Sequence, residues 1–295
     1  MKTLRQALKE AEKKKVAIGH FNIADLAGLK AIVEAVRQLR VPVIIGTSEG
    51  EAKFLGRKEI VAYIRALRDE LKLPLYINSD HTYSFEEVKR AVAAGYDAIL
   101  FDGGSLPIKE NLKQTKKIVS YVRAKDKRIV IEGELGNIGS GSEIRTEIPK
   151  EAAIKLEDLT KPTDAVAFVR ATGVDMLAPA VGNIHGMLAH AANPALNIGR
   201  IREIKEALRK DLKKDVPMVL HGGSGSADSD FSAAIEAGMN IIHISTELRL
   251  AWRKGLERSL EAYPDQIAPY KLFPPVIESV KAVVVRRLQL FNKLV

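Results

Sequence analysis

Six histidines occur in a chain that has no cysteine. His81, His185, His221 and His243 each fall at or just beyond the C-terminal end of a predicted strand, while His20 lies late in the first strand and His190 in a long loop. Three imidazoles with one position left open form the donor set of a catalytic zinc site, and His81, His185 and His221 are the expected ligands. Carboxylates accompany them: Asp80 directly precedes His81, Asp102 ends the fourth predicted strand, and Glu132 and Glu134 end the fifth. Beside a divalent ion such groups can ligate it, orient a ligand or exchange protons. Glu132 can equally be a packed, ion-paired residue of the interior. Glycine-rich turns surround two of the histidines, Gly182-Asn183-Ile184-His185-Gly186 and His221-Gly222-Gly223-Ser224-Gly225. Backbone N–H groups of the second turn can cradle a phosphate, with Ser245 and Thr246 at the end of the last strand completing the cradle.

These residues meet only if the fold gathers strand ends. Apolar, often β-branched runs at about 16–22, 41–47, 74–80, 97–102, 128–134, 175–182, 217–221 and 240–246 read as strands. They alternate with amphipathic patterns near 24–40, 58–72, 84–94, 110–124, 162–172, 199–210, 228–237 and 247–262. Eight strand–helix units predict an α/β fold, a closed (β/α)8 TIM barrel whose C-terminal face collects the strand ends. Glycine just past helix ends, as in Ala93-Ala94-Gly95-Tyr96-Asp97, supports those boundaries. The first fifteen residues read as a short amphipathic helix, and the stretch from about 263 to 295 as a C-terminal helical extension packed under the barrel or against another subunit. The length of 295 residues suits one such barrel, so a single domain over 1–295 is expected. Two loops, about 135–161 and 183–198, exceed ordinary connection lengths. The first, with Gly136, Gly139 and Gly141 at its root, reads as a lid or as a flexible insertion.

Bulk properties narrow the classes. The chain contains no apolar run of about eighteen residues, so no membrane span is expected. Its N-terminus lacks the apolar region of a secretory signal, which points to the cytoplasm. Without cysteine, disulfides and thiolate zinc sites are excluded. The net charge of +9 raises the question of nucleic acid. Basic residues are interleaved with acidic ones on helices, as in Glu203-Ile204-Lys205-Glu206-Ala207-Leu208-Arg209-Lys210, so no nucleic-acid partner is expected. A modest basic excess suits an anionic sugar phosphate.

The motifs Ser79-Asp80-His81, Phe101-Asp102-Gly103, Glu132-Gly133-Glu134-Leu135-Gly136, Gly173-Val174-Asp175 and the two histidine turns resemble, in order and spacing, the class II metal-dependent ketose-bisphosphate aldolases. The resemblance runs from Phe21-Asn22 to about Phe273, with Ser245-Thr246-Glu247-Leu248 closer to the tagatose-type branch. It implies reversible cleavage of a fructose- or tagatose-type ketose 1,6-bisphosphate into dihydroxyacetone phosphate and glyceraldehyde 3-phosphate, through an enediolate that Zn2+ stabilises. By the same resemblance His81, His185 and His221 are zinc ligands and Glu134 an alternative ligand. Asp80 exchanges a proton with the hydroxyl at the bond being cleaved, and Asn22 binds the dihydroxyacetone-phosphate half. Gly186, Gly222, Ser224, Ser245 and Thr246 fall at phosphate-binding positions, with a monovalent cation beside the phosphate. A homodimer or homotetramer is implied.

Three departures stand out. The lid glutamate of the family falls on Ser142, leaving its neighbour Glu143 as the candidate lid acid. His243 replaces a substrate-contacting Asn, where it can keep the contact, bind metal or change the substrate, and Asn78 stands where relatives often have His. A Schiff-base aldolase would need a strand-end lysine, and none of the eight predicted strand ends has one. A non-catalytic or altered-specificity sugar-phosphate-binding homologue draws its support from Ser142. A zinc hydrolase is opposed by the pairing of the His221 turn with Ser245-Thr246.

Overall fold

The computed structural model describes residues 2–139 and 141–294. Eight parallel strands close a barrel: β1 (Ile18–Asn22), β2 (Val43–Thr47), β3 (Leu75–Thr82), β4 (Ala98–Phe101), β5 (Val130–Leu135), β7 (Met176–Pro179), β9 (Met218–Leu220) and β10 (Met239–Ile244). They are hydrogen-bonded in the ring order β1-β10-β9-β7-β5-β4-β3-β2. Two short strands in the long loops, β6 (Ile144–Arg145) and β8 (Met187–Leu188), make a separate parallel pair. The (β/α)8 expectation therefore holds, with strand ends within a few residues of those read from the sequence.

Alternation along each strand decides what faces inward. On β2, Val43 and Ile45 join the cluster that packs on the outer helices, whereas Ile44 joins a smaller cluster with Ile18, Tyr76, Val130, Val219 and Ile241 inside the barrel. The floor under that inner layer is α1 (Leu4–Lys14), which buries Leu4, Ala7, Leu8 and Ala11 against it. A capping box between Thr3 and Gln6 starts this helix. Continuing the same inward parity upward from Ile18, Tyr76, Val130, Val219 and Ile241 gives His20, Asn78, Glu132, His221 and His243. The interior thus changes from apolar at the N-terminal end to polar at the C-terminal end.

The C-terminal extension does not lie under the barrel, because α1 occupies that place. Instead α12 (Pro274–Phe291) packs on the flank, against α2 (Leu26–Leu39) and α10 (Thr246–Ala262). Its buried Val276, Val280, Val284, Leu288 and Phe291 form one helical face. Gly255 permits the close approach, since a Cβ there would sit 2.8 Å from the Val276 Cα. A further short helix, α3 (Glu49–Leu55), follows β2 and was not anticipated; Ser48 and Glu51 form its capping box. No helix among the described residues is long and apolar enough to cross a membrane.

Candidate active site

Neighbouring residues of a strand point to opposite faces, so Asp80 and His81 should not share one cleft. A register irregularity resolves this. β3 pairs Ser79 with Ile99 and then Thr82 with Phe101, and His81 takes a left-handed φ of 50°. Such a bulge re-aims side chains, and both Asp80 and His81 line the same cleft of about 270 Å3. A left-handed non-glycine residue of this kind is a strained feature typical of functional sites.

The structure brings His81, His185 and His221 together, with candidate ligand atoms within 4.8 Å of one another. Each imidazole has one nitrogen engaged by an acceptor. His81 Nδ1 lies 2.7 Å from Asp102 Oδ2, His185 Nδ1 lies 2.8 Å from the Gly139 carbonyl, and His221 Nε2 lies 2.7 Å from Glu132 Oε1. With the protons on the engaged nitrogens, Nε2 of His81, Nε2 of His185 and Nδ1 of His221 are the lone-pair donors. His221 Nδ1 is buried without a hydrogen-bond partner, as is Glu134 Oε2. Imidazoles oriented by acceptors, with inward lone pairs unused, are the arrangement that suits a divalent metal. Glu132, for which two readings stood open, is buried and hydrogen-bonded to His221.

Electrostatics agree with that fit. Burial, reinforced by the neighbouring His81 charge, pushes His185 and His221 down to about 3, so both are neutral as ligands must be. Burial also works against the His81 imidazolium, yet Asp80, Asp102 and Glu134 overcome it and raise that group to about 10. A positive charge is therefore favoured at His81, where a divalent cation would serve in place of the proton. Burial would raise the Asp80 carboxyl, but His81, His20 and the Asn22 hydrogen bond hold it well below the usual carboxylate range. Asp80 Oδ2 accepts from Asn22 Nδ2 at 2.9 Å, and Oδ1 stands 3.6 Å from His243 Nδ1. Burial, helped by like charges, pushes Glu132 and Glu134 well upward.

His243 lines the cleft and is stacked on His20, with centroids 3.5 Å apart and planes 2° from parallel. His20 Nε2 in turn pairs with Asn78 Nδ2 at 3.1 Å. Two parallel stacked rings cannot both point an in-plane lone pair at one ion, so His20 and His243 cannot ligate together, although His243 by itself also has a candidate ligand atom within 4.8 Å of those of Glu132 and His221. Gly46 makes room for it, because a Cβ there would be 2.1 Å from His20 Cε1.

Gly186, Gly222, Ser224, Ser245 and Thr246 line the same cleft as Asn22 and Asp80. Gly222 has φ 61°, and a Cβ on it would approach the Ile184 carbonyl to 2.2 Å. Ser224 Oγ accepts from the N–H groups of Ser245 and Glu247 at 3.2 and 3.3 Å. Thr246 opens the 17-residue α10, whose N-cap Ser245 makes no side-chain capping bond and keeps its Oγ buried and unpartnered. Ser224 takes the Glu247 N–H in its place, and the positive end of this long helix at the cleft is suited to an anion.

The lid region differs from the simple loop anticipated. Ile144 pairs with Met187 and Arg145 with Leu188, so the two long loops are joined by β6 and β8. Glu143 is exposed and is not among the residues that line the cleft, although its carbonyl accepts from Met187 N at 2.9 Å. Ser142 does line it. His190 is exposed on the second loop. The sequence reading missed Ser48, Tyr83 and Arg249, which also line the cleft, and Glu51 behind them. The signature Ser48-x-x-Glu51 and a cation one turn into α10 were the available signals.

The family described as fructose-bisphosphate aldolase class II matches residues 2–294. A fructose-bisphosphate aldolase of Geobacillus stearothermophilus is 31% identical over 293 residues, covering 98% of this chain and 96% of that one. A probable fructose-bisphosphate aldolase of Bacillus subtilis is 32% identical, covering 98% and 97%. Among solved structures, the YdjI aldolase of Escherichia coli K12 superposes with a TM-score of 0.80 at 27% identity, covering 98% of this chain and 96% of its own.

Proposed function

We propose, from the premise that this chain belongs to the class II fructose-bisphosphate aldolase family and is a carbon–carbon lyase, that it cleaves a fructose- or tagatose-type ketose 1,6-bisphosphate into two triose phosphates. The observation that carries the proposal is the convergence on one cleft of three imidazoles, each with its outer nitrogen engaged, beside an ionised Asp80 and the N-terminus of α10. His81, His185 and His221 would hold the metal, with Glu134 in reserve, and a donor set of three imidazoles fits zinc. When bound, the metal supplies Lewis acidity for the negative charge left on the three-carbon fragment as the carbon–carbon bond opens.

The chain's own residues carry the remaining steps. The Gly222–Ser224 turn and the start of α10 bind the phosphate of the dihydroxyacetone half, and Asn22 contacts the same half. Asp80, ionised and oriented by Asn22, takes the proton of the hydroxyl that becomes the aldehyde. The bond electrons pass to the adjacent carbon, which is then protonated as dihydroxyacetone phosphate forms. Glu143 is the lid acid we assign to that last transfer, and it must swing inward to deliver the proton. His243 contacts the substrate at the mouth; its presence beside Asp80 favours, as a second reading, a different ketose phosphate. A coupled cleavage assay on fructose and tagatose 1,6-bisphosphates tests the proposal. Turnover of either supports it and the faster sugar names the branch, whereas turnover of neither by zinc-loaded protein would sink it in favour of the second reading.

A further inference from the structure

Glu51 has no role in the steps above, yet it is a carboxylate only 7% exposed, just behind the residues that line the cleft. Its Oε2 accepts from Asn22 Nδ2 at 3.1 Å and from the Ser48 N–H at 2.8 Å, and its Oε1 accepts from Arg249 Nη2 at 2.7 Å. Asn22 Nδ2 is at the same time 2.9 Å from Asp80 Oδ2. An amide nitrogen has two hydrogens, so Asn22 gives one to each carboxylate and both are committed. A flipped amide would turn its oxygen toward two anions, which fixes the orientation. Two carboxylates on one amide repel, and Arg249 on the far oxygen of Glu51 offsets that charge. The same guanidinium reaches the Ser142 carbonyl at 3.4 Å. Lid root, Arg249, Glu51, Asn22 and Asp80 are thus consecutive links of one polar chain, and the capping box of α3 sets Glu51 at its middle.

We propose that Glu51 is a positioning residue for cleavage, holding the Asn22 amide against Asp80 with one oxygen and Arg249 at the cleft wall with the other. The assignment rests on Asp80 being the proton acceptor. Without Glu51, Asn22 keeps a single tie and the Asp80 carboxylate loses its register with the reacting hydroxyl.

The test is steady-state cleavage of the preferred ketose bisphosphate by zinc-loaded wild type, Glu51→Ala, Glu51→Gln, Glu51→Asp and Asp80→Asn, with metal content and melting temperature measured on each. Glu51→Ala should lower kcat between about ten- and a hundredfold, the scale of a misplaced catalytic group, with KM within about threefold and metal content unchanged. Glu51→Gln keeps an acceptor toward Asn22 and Ser48 and loses the tie to Arg249, which its NH2 group then faces, so kcat should recover to within about threefold of wild type if the hold on Asn22 is what sets it. If Glu51→Ala does not fold, Glu51→Asp carries the test, since it retains the charge and the cap but draws the carboxylate away from Asn22; the same loss of kcat is expected. Wild-type kcat in the folded Glu51→Ala or Glu51→Asp protein would overturn the proposal. So would equal losses in the Ala and Gln variants that follow a lowered melting temperature, because Glu51 would then serve only the first turn of α3. Wild-type cleavage by Asp80→Asn would instead overturn the reading of Asp80 itself, whatever Glu51 does.

Discussion

Replacing Asp102 by Asn tests how the site keeps His81 ready to bind metal. Asp102 Oδ2 accepts from His81 Nδ1 at 2.7 Å, and Oδ1 accepts from the Gly104 N–H at 3.1 Å. A carboxylate can accept on both oxygens, but an amide can accept on only one. If the amide oxygen stays with His81, the NH2 group faces the Gly104 N–H and two donors confront each other. If it stays with Gly104, the NH2 group faces His81 Nδ1, which must become the acceptor. The ring proton then moves to Nε2, the nitrogen needed for the metal. Either outcome leaves one polar group unsatisfied at a largely buried position, at a cost of about 1–3 kcal/mol. At 1.4 kcal/mol per tenfold, zinc affinity should fall between about fivefold and 150-fold, the range expected for a residue behind a metal ligand. Competition with a chromophoric chelator measures this, and the melting temperature of the metal-free protein checks that the fold persists. Unchanged zinc affinity in a folded Asp102→Asn protein would refute the claim that this contact fixes the His81 tautomer.

Two further outcomes follow from the geometry. Gly222→Ala places a Cβ against the Ile184 carbonyl at a left-handed φ; KM for a ketose bisphosphate should rise at least about tenfold with a loss of stability of about 1–3 kcal/mol, and an unchanged KM would remove Gly222 from the phosphate cradle. Asp175 accepts from Arg5, Arg123 and the Ile131 N–H; these partners outweigh burial and hold its carboxyl below the ordinary value. A depressed folded-state pKa contributes stability above the unfolded value, near 3.9, that is lost as pH falls through the folded one. Denaturant titrations should therefore find Asp175→Asn less stable than wild type at neutral pH, with the gap closing below about pH 4. A gap that widens on acidification would reverse the assigned sign.

Much of the barrel was legible because its signals are local. Short apolar, often β-branched runs and glycine at helix ends report each strand and helix from within a dozen residues, and the histidines at strand ends then share one face by topology. The unread features depend on contacts distant in sequence. The irregularity that turns His81 into the cleft depends on how β3 meets β4, and nothing in Ser79-Asp80-His81-Thr82 announces it. The β6–β8 pair joins segments more than forty residues apart through two residues each. The place of α12 was ambiguous because an amphipathic helix shows only that it has a buried face, and α1 had already claimed the barrel floor. Glu51 was overlooked because α3 is short, and its partner Arg249 lies 198 residues away. Glu143, chosen for its type beside Ser142, is exposed with its backbone held by the β8 side of the lid.

The most direct test of the central claim, that His81, His185 and His221 hold a metal needed for cleavage, is ketose bisphosphate turnover before and after EDTA, with zinc added back and borohydride as a parallel treatment. The account predicts that EDTA abolishes cleavage, stoichiometric zinc restores it, and borohydride with substrate leaves it intact. Cleavage that survives complete metal removal and stops with borohydride would contradict it, and would require a lysine that forms a Schiff base.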